Sequence, residues 1–317
     1  MLATIVGLVG ALIFGAADFL GGLGSRRISA LRVTAIAGAT GFVVLLIALP
    51  FIGGQWSVSA VVLGALSGIT GAAAIALLYA CLAIGPMSIL SPLTAVVSAV
   101  VPMTWGLAQG SALRPIGYWA LAIALVAVVL VGFVPEKGAV RPSLRGVLMA
   151  VASGILIGAF LIIIDHTPDD SGLVPLVVNR LVNGATMFAA VGVVALIALR
   201  RRVPVRVGMG GADVAGSRIT GGADVAGSGL ANGTRLAGGW LPGLKFAIAC
   251  GVVDAVANTL LLLGLRLGEL TVMSVLTAMY PAGTILLAAI VLRERIAPVQ
   301  WVGLALALTA AGMLALT

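Results

Sequence analysis

Charge is what this chain has least of. Only 9% of its 317 residues are Asp, Glu, Lys or Arg, against about a quarter in an ordinary soluble domain. That scarcity excludes a water-facing globule. Histidine occurs once, so no HExxH or other histidine-based metal motif can be assembled, and no paired-carboxylate motif stands in for it. Cysteine occurs twice. Cys81 and Cys250 each fall inside an apolar run, far apart, so the pattern indicates neither a disulfide nor a zinc site. The chain calls for no cofactor and gives no sign of an enzyme. A net charge of +8 suggests nucleic acid at first sight, but the basic residues sit in short loops between apolar runs. They read as topology determinants, not as a nucleic-acid face. What is plentiful is apolar surface: 61% hydrophobic residues and a mean hydropathy of +1.23. The solvent is a lipid bilayer.

About 20 apolar residues cross a hydrocarbon core as a helix. Ten such spans can be drawn, roughly 2–24, 32–52, 60–83, 86–108, 115–134, 144–164, 173–199, 242–265, 269–291 and 298–316. Residues 68–132 and 251–315 align without a gap at an offset of 183 and match at 18 of 65 positions, among them Gly85/Gly268, Ser91/Ser274, Thr94/Thr277 and Pro115/Pro298. Corresponding spans of the two copies lie five apart, an odd number, so the second copy lies upside down relative to the first. Inverted repeats of this kind mark secondary transporters. The expected fold is an all-α integral membrane protein of ten transmembrane helices built as two inverted five-helix repeats, 1–134 and 144–316. The second is interrupted by loop 200–241, where the octapeptide GGADVAGS occurs twice, at Gly210–Ser217 and Gly221–Ser228. That loop is too poor in large apolar residues to build a core and reads as a flexible linker. Fifteen of the 18 Lys and Arg residues hold or flank the loops after odd-numbered spans. The positive-inside rule then puts both termini outside the cytoplasm of a bacterial cell membrane.

Ionisable side chains at membrane depth are functional candidates by default. Asp254 lies near the middle of the eighth span, one turn before Asn258. It suits a proton or a substrate ammonium group, or it is locked to an Arg or hydroxyl for packing. Asp18 sits in the Gly-rich stretch FGAADFLGG of the first span, as a second candidate or as a group reaching interfacial water or Arg26. Arg180 lies two turns into the seventh span and shares a face with Asn183. It is suited to a substrate carboxylate, to neutralising an Asp, or to snorkelling. Tyr79, Trp105 and Tyr280 are the aromatic candidates in the repeated spans. Pro102 and Pro281 are expected to kink the fourth and ninth spans and free backbone carbonyls.

The segments GPMSILSPLTAVVSAVVP and GELTVMSVLTAMYPAGTILLAAIVLRERIAPVQWVGLALALTAAGMLAL, with the opening FGAADFLGGLGSRR, resemble EamA-type transporters of the drug/metabolite transporter superfamily. Glu294, Pro298, Gln300 and Gly303 fit that family's Glu-rich helix end and following Gln-x-x-Gly pattern. The first copy departs from it, with Ser111 and Gly117 at the corresponding positions. The resemblance implies a ten-helix bundle around a central cavity that rocks to exchange a small metabolite, amino acid or drug, commonly with protons as the coupling ion. The better-known members have cytoplasmic termini, contrary to the charge count here. The expected partners are a small-molecule substrate, protons and the lipid bilayer. The rival reading is a lipid or lipid-linked metabolite translocator on the same fold.

Overall fold

A computed structural model describes residues 1–25, 27–84, 87–111, 113–132, 143–200, 241–293 and 296–315. Among them every regular element is helical and there is no strand. This follows from the solvent: in hydrocarbon, a helix satisfies its backbone groups within one segment. The helices are α1 (Leu2–Ser25), α2 (Ala30–Ile52), α3 (Val58–Ile84), α4 (Met87–Ala108), α5 (Pro115–Gly132), α6 (Leu144–Asp165), α7 (Val174–Arg200), α8 (Leu241–Leu267), α9 (Leu270–Ala278), α10 (Tyr280–Val291) and α11 (Pro298–Ala315). A single 3₁₀ turn, Asp169–Ser171, joins α6 to α7. Among the described residues, eight helical stretches are long and apolar enough to cross a membrane, α9 and α10 together making one of them. Two further apolar helical stretches, Pro92–Ala108 and Pro298–Leu314, are shorter. The repeated octapeptides fall within 201–240, outside the described residues.

The two proline expectations part company. The ninth span breaks at Met279, and Pro281 occupies the first turn of α10, where a missing N–H costs nothing. Pro102 and Pro92, by contrast, lie inside one continuous α4.

Packing is close because the contact residues are small. A Cβ on Gly15 would lie 2.5 Å from the Tyr280 carbonyl oxygen and 2.7 Å from Gly283 Cα. Gly64 and Gly68 of α3 meet Pro175 and Asn179 of α7, and Gly154 and Gly158 of α6 meet Val97 and Val101 of α4. Gly303 of α11 meets Val131 of α5, above a buried alanine seam of Ala120, Ala124, Ala127, Ala307, Ala310 and Ala311. The pairings follow a pattern. α1 packs on α8 and on α9–α10, and α6 packs on α3 and α4. α2 packs on α8, and α3 on α7. These pairs all join the first half of the chain to the second, and so do α2–α7, α4–α9 and α5–α11.

The two ends of the bundle differ. At the end carrying the 53–57 and 165–173 loops, Arg266 at the close of α8 donates to the Thr167 and Pro168 carbonyls (both 2.7 Å), to Thr167 Oγ1 (2.9 Å) and to Asp169 Oδ1 (2.5 Å). Gln55 N donates to the Asp170 carbonyl and Leu173 N to the Gly53 carbonyl. The loops touch at Gly54 (φ 148°) and Gly172 (φ 48°), where a Cβ on either would overlap the other strand of chain. Ser111 Oγ donates to Glu269 Oε2 at 2.5 Å, tying the α4–α5 connection to the start of α9.

Candidate functional site

A cavity of about 420 Å³ occupies the middle of the bundle. Its lining runs from mid-span residues to Ser25 at the close of α1, Val33 and Thr34 at the start of α2, Gly132 at the close of α5 and Gln300 at the start of α11. These lie at the Arg-rich end. No residue of the hydrogen-bonded loops at the opposite end lines it.

Among the described residues, three charged side chains reach this space: Asp18 from α1, Arg180 from α7 and Asp254 from α8. Arg180 Nη2 and Asp254 Oδ2 form an ion pair at 2.5 Å, with the two side chains 14% and 21% exposed. Asn258, one turn on, donates its Nδ2 to the Asp254 carbonyl at 2.8 Å and to Asp254 Oδ1 at 3.1 Å. The close approach that permits this pair comes from Gly41 on α2. The position of a Cβ there would be 3.6 Å from Arg180 Cδ and 3.4 Å from the Gly251 carbonyl oxygen. Arg180 Nε is buried and has no acceptor among the described residues. The α1–α8 contacts pair Gly24 with Phe246, Gly21 with Cys250 and Gly10 with Leu260. This antiparallel register brings Asp18 to the level of residues 252–254, so both carboxylates sit at one depth.

Asn183 lies between α2 and α3, its amide nitrogen 3.4 Å from where a Gly71 Cβ would be. It is buried and lines the cavity. Tyr280 lines it too. The structure therefore gathers Asp18, Asp254, Asn258, Arg180, Asn183 and Tyr280 around one space. It does not bring Trp105 there. Trp105 is 43% exposed near the closed end of the bundle, and its ring centroid lies 6.1 Å from that of His166. The sequence marks it as a candidate only because it is an aromatic in a repeated span. Tyr79 falls within α3, and its side chain lies outside the described residues, as do Arg26 and Glu294.

Sequence reasoning passed over Asn179, Thr34, Phe14 and Phe160. Asn179 lines the cavity while donating to buried Ser67 Oγ at 2.8 Å. Its polarity at span depth was the available signal. The others carry none, because a threonine or phenylalanine in a span is equally at home against lipid. Gln300, noted for its motif, also lines the cavity. Its Oε1 accepts from Ala297 N at 3.0 Å, capping α11, and its Nε2 donates to the Val131 carbonyl at 3.4 Å.

No curated protein matches the chain. A solved structure described only as a crystal structure of a protein superposes with a TM-score of 0.66, covering 99% of this chain and 96% of that one at 16% identity, which speaks to the fold alone. The model of the EamA-like transporter family matches residues 220–316. Over that stretch, most of it carried by α8 to α11 of an all-helical bundle, the chain is similar to EamA-like transporters.

Proposed function

We propose that the protein is a secondary transporter that exports a small organic metabolite across the cell membrane by alternating access, in exchange for protons. The observation that carries this reading is the cavity. It holds an ion pair, a second carboxylate and three asparagines, and its lining reaches one end only. Charges at that depth are retained where they bind something. The helix pairings support the two-repeat, ten-span architecture. When each span of one half is exchanged for its counterpart in the other, α1 on α8 becomes α6 on α3, α1 on α9–α10 becomes α6 on α4, and the pairs α2–α7, α4–α9 and α5–α11 map onto themselves. Such a molecule has two equivalent ways of leaning its halves, which is what alternating access requires.

On this reading the Arg-rich end faces the cytoplasm, and cargo enters there. The Arg266 network closes the far end and must part for release. Asp254 and Asp18 are the proton carriers: a proton on Asp254 removes the partner of Arg180 and loosens the α7–α8 contact. Charged residues facing the bundle interior favour a water-soluble cargo over a lipid one.

The test is proton movement in proteoliposomes, followed with a pH-sensitive dye against a metabolite and amino-acid panel. Substrate-dependent flux in the wild type that is lost in Asp254→Asn supports the reading. Equal flux in both shifts the proton to Asp18. Absence of flux with every substrate, alongside scrambling of a labelled lipid, replaces it with the lipid translocator.

A further inference from the structure

The charges around the cavity do not balance. Arg180 and Asp254 cancel each other at 2.5 Å. Asp18 lines the same space and makes no hydrogen bond or ion pair among the described residues. The α1–α8 register sets it level with the pair. With its carboxylates ionised, the described lining therefore carries one surplus negative charge, on a side chain that stays exposed.

The apolar part of the lining points the same way. Phe14 lies one turn before Asp18 on the same face of α1, and Phe160 and Tyr280 line the cavity as well. Aromatic faces attract cations and not anions. An anionic cargo would meet a net negative site in which the guanidinium is already taken. A neutral one would leave Asp18 without a counter-charge.

We propose that the cargo is a monovalent organic cation, an aryl- or alkyl-ammonium, and that Asp18 is its counter-ion. The inference rests on the cavity being the cargo site and names the class of cargo. Proton and cation then exclude one another on a single carboxylate, so binding strengthens as pH rises through the titration of Asp18. The other titratable or charged groups on elements packed against α1 are Lys245, Cys250, Asp254 and Arg266 of α8, Tyr280 of α10 and Arg32 of α2; Lys245 and Arg266 do not line the cavity. Arg180 reaches Asp254 from α7, while α9 and α11 contribute none in their described residues. Arg32 is not among the lining residues. A cavity of this volume falls within the usual range for small-molecule sites, about 300–1,000 Å³.

The experiment is calorimetric binding to the detergent-purified full chain of three matched probes: 2-phenylethyltrimethylammonium, whose charge is fixed, 2-phenylethanol and 3-phenylpropanoate. The cation should bind at least tenfold more tightly than the other two, and more tightly at pH 8 than at pH 5.5. Asp18→Asn should lose at least tenfold and become insensitive to pH, while Asp18→Glu retains both properties. Equal binding of the neutral or anionic probe, cation binding unchanged in Asp18→Asn, or binding of none of the three overturns the proposal. Should Asp18→Asn fail to fold, labelling of Asp18 in the wild type by dicyclohexylcarbodiimide, read by mass spectrometry, replaces it. The cation should protect Asp18, and absence of protection overturns the proposal. Cation binding without any coupled flux would strike the transport reading and leave the cation site standing.

Discussion

Removing both members of the Arg180–Asp254 pair should cost less than the two single removals added together. Breaking a buried ion pair from one side costs about 3–5 kcal/mol, because the remaining charge is stranded. Two features lower that figure here. The side chains keep 14% and 21% of their exposure through the cavity, and Asn258 still donates to Asp254 when Arg180 is lost. With the charge centres roughly 4 Å apart at an effective dielectric constant of about 20, the Coulomb attraction is about 4 kcal/mol before desolvation is subtracted. We expect Arg180→Gln and Asp254→Asn each to lose about 2–3 kcal/mol. The double variant should lose about 2 kcal/mol less than their sum. The assay is reversible unfolding in mixed micelles of increasing SDS fraction, followed by helicity, with all four proteins compared at one pH. Losses that add to within about 0.5 kcal/mol would refute the reasoning, since additivity to that level is the behaviour of independent sites.

Three further outcomes follow from the packing. Arg266→Ala strips the donors that hold Thr167, Pro168 and Asp169, so amide exchange across 167–171 should speed at least tenfold, about 1.4 kcal/mol of local opening. Unchanged exchange would mean that the loop holds itself. Gly15→Ala forces a methyl onto the backbone of Tyr280, Gly283 and Thr284 and should destabilise by about 1–3 kcal/mol. Gly192→Ala, with nothing within 4 Å, should be neutral or gain up to about 1 kcal/mol. Equal effects in the same unfolding assay would dismiss the close-approach account. Ser67→Ala leaves the buried Asn179 amide without its acceptor, for a loss of about 1–3 kcal/mol, and adding Asn179→Leu should recover part of it.

Much of this was legible along the chain because a bilayer is an unforgiving solvent. Apolar runs of fixed length declared the helices, and nearly every observed boundary falls within a few residues of the expected one. The rarity of charge at depth singled out Asp18, Arg180 and Asp254 before any coordinates. The duplication was readable too, but it says nothing about them. In the aligned copies Asp254 stands opposite Gly71, so the repeat predicts the scaffold and not the charges that break its symmetry. The prolines marked where a backbone could break without deciding which would: Pro281 begins a new helix, whereas Pro102 stays inside one.

By itself, then, the sequence determined the solvent, the helices, their approximate ends and the short roster of charged residues at membrane depth. Each of these is a local property of composition and period. Only the tertiary structure decided which of those charges meet. Arg180 and Asp254 are 74 residues apart in number, and their contact at 2.5 Å depends on small residues at the helix crossings, Gly41 and Gly251 among them. It also decided that Asp18 stands at the same depth unpaired among the described residues, that Trp105 faces away from the cavity, and that one end of the bundle is tied together by hydrogen bonds. Helix register and crossing distance are set by side chains from both partners at once, and no single segment carries that information.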